Sequence, residues 1–185
     1  MADEYEIINP GEWLLREGLV RETHRRLTRE GLLLASRSAD GKLNPMTIGW
    51  AVFGNIWGRS MMVVLVRPSR FTYQCLETAR DYTVNVMPAD MADVADYCGT
   101  TSGRSLDKMV EKRLTERPSQ HIASGGIAEA NIIFECRVVH KNDVEQPAFT
   151  GDIISHYYPE DDFHRVYFGE ILSVAVKRDF LASLA

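Results

Sequence analysis

Positive charge is what this chain is shortest of. Its 21 Lys and Arg are outnumbered by 26 Asp and Glu, for a formal net charge of −5. Nucleic acids and anionic membranes are bound by basic excess, so neither partner is expected, although basic residues can still cluster locally. Long apolar runs are also missing. The longest, Met61 to Val66, falls far short of the roughly 20 residues that a membrane helix needs. The opening "MADEYEII" is acidic and has no apolar signal core, so no secretory signal is expected. There are only three cysteines, Cys75, Cys98 and Cys136, odd in number and widely spaced. They form neither a zinc signature nor a disulfide framework, which suggests buried structural thiols and a reduced, cytoplasmic setting.

Several familiar catalytic motifs are absent too. No strand runs into a Gly-x-Gly-x-x-Gly turn. The glycine pair in "SGGIAEA" at 124–130 lacks that spacing, so a dinucleotide would not bind through a Rossmann unit. There is no Gly-x-Ser-x-Gly elbow of a serine hydrolase, and no His or carboxylate spacing suited to a metal. Internal repeats, low-complexity segments and Pro/Gly/Ser-rich linkers are missing as well.

What is present suits one globular unit. A chain of 185 residues, 45% hydrophobic and 25% charged, fits a single domain over 1–185 with a sizeable core. Residues 1–30 read as an N-terminal segment with a short charged helix that Gly31 stops. From 31 to 177 the pattern is mostly β. "LLLASRS" is a strand, Asp40-Gly41 signals a tight hairpin, and a second strand runs from Leu43 to about Phe53. Gly54-Asn55 opens the next turn and Ser60–Arg67 forms the third strand. A helix follows to about Arg80 with Ser69 as its N-cap. "DYTVNVMP" is a strand, "ADMADVADYCG" a helix closed by Gly99, and "SGRSLDKMVEKRL" another short helix. Strands are then expected at 130–142, 149–158 and 164–177. This makes a β-barrel of α+β type with short inserted helices.

Four segments can carry chemistry. In "VRPSRFTYQCLE", Arg67-Pro68-Ser69-Arg70 stands where a strand gives way to a helix. The free N–H groups of a helix start, a hydroxyl and two guanidinium groups make an anion site suited to phosphate; the alternative is a capped helix with solvated arginines. "CGTTSGRSLDK", residues 98–108, offers hydroxyls and close backbone approach, with Arg104 and Lys108 on one helical face. It resembles a phosphate loop without the Walker spacing, or else is a polar loop leading to a surface helix. "NPMTIGW", residues 44–50, sets the polar groups of Asn44 and Thr47 beside apolar surface and Trp50, a mixture suited to a heteroaromatic ring or to a half-buried strand. "DFHRVYFGEI", residues 162–171, contains His164, a neutral donor, proton carrier or core histidine. The adjacent "PEDD" reads as a solvated acidic loop.

In this order, the four segments together resemble the flavin reductase-like, FMN-binding split-barrel family, which includes flavoredoxin. The likeness runs from about Gly31 to Val176. It implies a mostly β, six-stranded antiparallel split barrel with short peripheral helices, a homodimer, and a non-covalent FMN reduced by NADH or NADPH. By the resemblance, Asn44, Met46, Thr47 and Trp50 lie beside the isoalloxazine ring. Arg67, Ser69, Arg70, Thr72 and Tyr73 lie around the ribityl chain and phosphate, with Ser102, Gly103 and Lys108 on the second phosphate-side loop. His164 lies on the nicotinamide side. The sequence departs from the pattern at Pro45, at Gly49 where many members have Ser, and at Phe71 where Tyr is frequent. The implied activity is hydride transfer from NAD(P)H to flavin, with electrons passed to an acceptor such as a redox protein or an oxygenase. A flavoredoxin-like carrier that holds FMN for a protein partner is the alternative.

Overall fold

The fold is that of a computed structural model describing residues 4–184. The chain opens with β1 (Tyr5–Ile8), a 3-10 turn at Trp13–Leu15 and α1 (Glu17–Arg29). The meander β2 (Leu32–Arg37), β3 (Leu43–Ile48), β4 (Ala51–Ile56) and β5 (Arg59–Val66) follows. Next come α2 (Phe71–Ala79), β6 (Asp81–Val86), α3 (Ala92–Thr100) and α4 (Lys108–Glu111). The short pair β7 (Glu116–Arg117) and β8 (Gly126–Ile127) precedes β9 (Ile132–Asp143), α5 (Ile153–Tyr157), β10 (Arg165–Lys177) and α6 (Arg178–Ser183).

The main sheet is antiparallel, with strand order β3-β2-β6-β9-β10-β5-β4 and β1 also on β10. Its eight strands exceed the expected six because β4 folds back on β5 and β1 completes an edge. β10 is long enough for β5 to cover Arg165–Glu170 while β1 covers Val174–Lys177. β3 and β4 stand at opposite ends of the strand order, yet only Gly49 and Trp50 separate them. Three Cα steps reach at most about 11 Å, so the sheet must curl until its two ends meet at this corner. The two strands share no ladder, and the barrel is split along that seam. Pro45 sits in β3 without cost, since an edge strand has no second neighbour to receive its missing N–H.

Side-chain alternation fills two cores. Leu32 and Leu34 point into the barrel with Val84, Phe134 and Tyr167, while Leu33 points the other way, to Val94, Cys98 and Ile133 under α3. Burial on both faces explains why "LLLA" is continuously apolar. The N-terminal segment belongs to the barrel core: Trp13 is wholly buried, with ring centroids 5.2 Å from Phe53 and 4.8 Å from Phe134. The three cysteines are buried and unpaired. Among the described residues no helix is long and apolar enough to cross a membrane.

Several expected elements are corrected. The single strand at 43–53 is broken at Gly49-Trp50, because the chain there crosses from one sheet edge to the other. The hairpin turn is at Trp57-Gly58, not Gly54-Asn55; both turn residues have positive φ, at 57° and 71°, as a two-residue type I′ loop requires. The expected strand at 149–158 is irregular chain and the helical turn α5, its paired isoleucines being a short apolar run of the kind that fits either structure. The N-cap of α2 is Arg70, whose side chain makes no capping bond, and α3 runs through Gly99 to Thr100. Arg104 lies outside α4, so it shares no helical face with Lys108.

Candidate functional site

The seam between β3 and β4 is lined on three sides: by the turn from β5 into α2, by the loop from α3 to α4, and by the segment 144–164 that precedes β10. Two cavities lie along it. One, of about 210 Å³, is walled by Gly49, Trp50, Leu65, Arg67 and His164. The other, of about 280 Å³, is walled by Asn44, Ser69, Thr72, Ser102, Gly103 and Lys108. Met46, Arg70 and Gly99 line both, so the cavities abut across these three residues. A site with an aromatic end and a cationic, hydroxyl-rich end is the result.

Lys108 sets the character of the second cavity. Its side chain is 3% exposed, and its Nζ donates to the Cys98 carbonyl at 3.0 Å. No described carboxylate pairs with it, and burial pushes its pKa below the usual lysine value. An ammonium held out of water with one neutral acceptor is costly and is relieved by an anion. Arg70, exposed, has no hydrogen bond or ion pair from its guanidinium to any described residue. Arg104 donates to the Ser69 carbonyl at 2.9 Å and so ties the α3–α4 loop to the start of α2. Gly103 packs so tightly that a Cβ there would collide with the Asn44 amide and come within 3.0 Å of Phe71 Cδ1. Asn44 donates to Thr72 Oγ1 at 2.9 Å, and Thr47 donates to the Ala95 carbonyl, which pins β3 against α2 and α3.

The first cavity is aromatic. The Trp50 ring is 4.7 Å from the His164 ring and 5.2 Å from Tyr157, which meets it edge-on. His164 is 8% exposed, and its Nδ1 is 2.9 Å from the Tyr158 hydroxyl. Burial, reinforced by the Arg67 and Arg70 charges and only partly opposed by Asp162, lowers its pKa from 6.5 to about 4. At neutral pH the imidazole is therefore uncharged.

The structure brings Asn44, Met46, Ser69, Arg70, Thr72, Ser102, Gly103 and Lys108 to one cavity, and Met46, Thr47, Trp50, Arg67, Arg70 and His164 to the other. Tyr73 lines neither. It lies against the barrel, its ring 6.4 Å from Tyr167 and 5.1 Å beneath the Arg165 guanidinium. Arg67 belongs to the aromatic end: it donates to the backbone carbonyls of Tyr157, at 2.8 Å, and Asp162, at 3.1 Å. Tyr157, Tyr158 and Asp162 also stand at the cleft, although the sequence does not mark them as site residues. Far from being a free acidic loop, "PEDD" delivers Asp162 onto Ser69, accepting from its Oγ at 2.5 Å and its backbone N–H at 3.3 Å. The acidic side chain thus sits on donors that a phosphate would use, a contact between distant segments that composition does not reveal.

An antiparallel split barrel with a two-part cleft at its seam, aromatic at one end and cationic at the other, is what the residues build. The sequence profile of the flavin reductase like domain matches residues 24–183, and the chain belongs to that family. Comparison with curated proteins finds no match. Among solved structures the chain is similar to flavoredoxin of Desulfovibrio vulgaris (Miyazaki F), with TM-score 0.65 and 22% identity over 80% of this chain and 69% of that one. It is similar to flavoredoxin from Methanosarcina acetivorans, with TM-score 0.63 and 26% identity over 80% and 68%. A third likeness is to an FMN-binding protein from Thermus thermophilus with bound 1-cyclohex-2-enone, with TM-score 0.59 and 19% identity over 77% and 67%.

Proposed function

We propose that this protein binds FMN non-covalently along the seam and catalyses hydride transfer from NADH or NADPH to the flavin. The observation that carries the reading is the buried, unpaired Lys108 at one end of a cleft whose other end is Trp50 and His164. A flavin mononucleotide has a dianionic phosphate at one end and a flat ring at the other, and the donor set fits both. Lys108, Arg70, Ser69 and Ser102 would hold the phosphate; Met46, Thr47 and Trp50 would flank the ring. When bound, the flavin supplies the redox chemistry by accepting a hydride; the protein binds and orients. Trp50 and Met46 exclude water from the ring side. His164, uncharged at neutral pH, serves as a polar contact for the nicotinamide donor and not as an obligatory acid.

The test is an absorption spectrum of the purified protein followed by anaerobic addition of each nicotinamide. The expected result is a flavin band that one of them bleaches; a band that neither bleaches within minutes rejects the hydride step. In that case the second reading takes over, an electron carrier that holds FMN for a redox protein or oxygenase partner. It is favoured by the small volume of the aromatic cavity and by the Tyr157 edge set against Trp50. In either role the protein is proposed to be a cytoplasmic homodimer. β4 is an unpaired sheet edge carrying Val52, 63% exposed, beside the equally exposed Trp57 of the hairpin tip, and a second copy would cover this surface. Light scattering should then give twice the 20.9 kDa chain mass.

A further inference from the structure

One contact at the aromatic end is not explained by holding either end of a flavin. The Tyr158 hydroxyl lies 2.9 Å from His164 Nδ1, and the two rings meet edge-on at 5.5 Å. Tyr158 is 3% exposed. Its ring is stacked on Phe163 at 4.7 Å, and the Arg67 guanidinium lies 5.1 Å from its centroid. Arg67 in turn holds the backbone carbonyls of Tyr157 and Asp162, the residues that precede these two rings. Packing, and not solvent, sets the direction of this hydroxyl.

Proton counting decides what the contact does. Burial raises the Tyr158 pKa, so the phenol keeps its proton. The imidazole is neutral and has a single N–H; burial first, and then the facing charges of Arg67 and Arg70 against Asp162, disfavour a second proton. If Nδ1 held the proton, the phenol would accept it and its own proton would need another acceptor. Among the described residues the Tyr158 hydroxyl has no partner other than His164. If the phenol donates to Nδ1, both atoms of this contact are satisfied and the imidazole proton is on Nε2. No described residue bonds to Nε2, and the ring lines the Trp50 cavity.

We propose that Tyr158 is a positioning residue that locks His164 in the Nε2–H form, so that the imidazole presents a fixed hydrogen-bond donor in the Trp50 cavity to a carbonyl oxygen of the nicotinamide carboxamide class. The part concerning the carboxamide rests on the hydride-transfer reading; the tautomer does not. A donor whose direction is set before binding orients the ligand without loss of side-chain freedom.

The test combines long-range proton–nitrogen NMR of the full-length, 15N-labelled protein with reduction kinetics. Wild type should show His164 wholly as the Nε2–H form near neutral pH. Tyr158→Phe should keep flavin affinity but spread the imidazole over both forms, and raise the KM for the nicotinamide three- to tenfold with a smaller change in kcat, as expected for one lost hydrogen bond. His164→Gln, which keeps an N–H donor near the Nε2 position, should retain more of the nicotinamide affinity than His164→Ala, and this pair tests the donor role should Tyr158→Phe fold poorly. An Nδ1–H form in wild type overturns the proposal. So does a Tyr158→Phe protein with unchanged tautomer and unchanged KM, or equal KM values for the Gln and Ala variants. Failure of the functional reading shows separately, as a flavin band that no nicotinamide bleaches.

Discussion

Replacing Lys108 by methionine isolates the charge at the cationic end of the cleft while keeping its bulk. In the free protein the ammonium has one neutral acceptor, the Cys98 carbonyl at 3.0 Å, and is otherwise held away from water. Losing that bond costs about 1 kcal/mol, and removing a poorly compensated buried charge returns a comparable amount. Lys108→Met should therefore leave the unfolding midpoint nearly unchanged. Binding is where the difference appears. A phosphate supplies the missing counter-charge, and a hydrogen bond to a charged partner contributes about 1.5–3 kcal/mol, so the Kd for FMN should rise about 10- to 150-fold. Riboflavin has the same ring and ribityl chain without the phosphate, and its Kd should barely move. Fluorescence titration of apoprotein with both flavins, for wild type and variant, reads the effect directly. There is also a pH signature. Burial lowers the Lys108 pKa in the free protein and a bound phosphate raises it, so FMN affinity should fall as pH rises through the lysine's own free-protein pKa. Equal affinity of wild type for FMN and riboflavin would refute the phosphate placement and, with it, the orientation of the ligand in the cleft.

Three further outcomes follow from named contacts. Trp13→Ala empties the centre of the barrel between Phe53 and Phe134 and should cost about 3–5 kcal/mol in denaturant unfolding, whereas a surface-like loss below 1 kcal/mol would remove the N-terminal segment from the core. The His164 pKa is lowered from 6.5 to about 4 on folding, so the unfolded chain takes up its proton first; stability should fall by about 2–3 kcal/mol as pH drops from 6.5 to 4, and His164→Gln should flatten that part of the profile. Asp162→Asn removes the carboxylate from the Ser69 donors and should tighten FMN about three- to tenfold without affecting riboflavin, while weaker FMN binding would mean that the carboxylate's main task is to hold the 157–164 segment in place.

Local chemistry made much of the fold legible. Continuous apolar runs marked β2, alternation marked β6, β-rich stretches marked the long strands β9 and β10, and Gly31, at φ +84° and against the Ile48 carbonyl, ended α1 where only glycine fits. What failed were features fixed by distant partners. The break at Gly49-Trp50 exists because the chain must step from one edge of a curled sheet to the other, and nothing in "TIGWAVF" itself demands it. A tryptophan in the left-handed region at the β4–β5 turn is dictated by the register of Gly54 with Met61 and Asn55 with Ser60; the local Gly-Asn pair points to the wrong place.

The site divides along the same line. Arg67, Ser69, Arg70, Ser102 and Lys108 are recognisable as anion-binding types from sequence, but their states are not. Lys108 reads as one of several surface cations until α3 is seen to bury it, and burial is what makes it demand a counter-charge. The sequence leaves His164 open to three roles, and nothing in it shows that Tyr158, six residues away in the chain, lies 2.9 Å from its Nδ1. Tyr73 shows the reverse error. It follows the turn next to Thr72, but successive residues on a helix diverge by about 100°, so a helix that presents Thr72 to the cleft sends its neighbour to the barrel wall. A motif therefore names the residue types near a ligand, while helix phase and cross-chain contacts decide which of them face it.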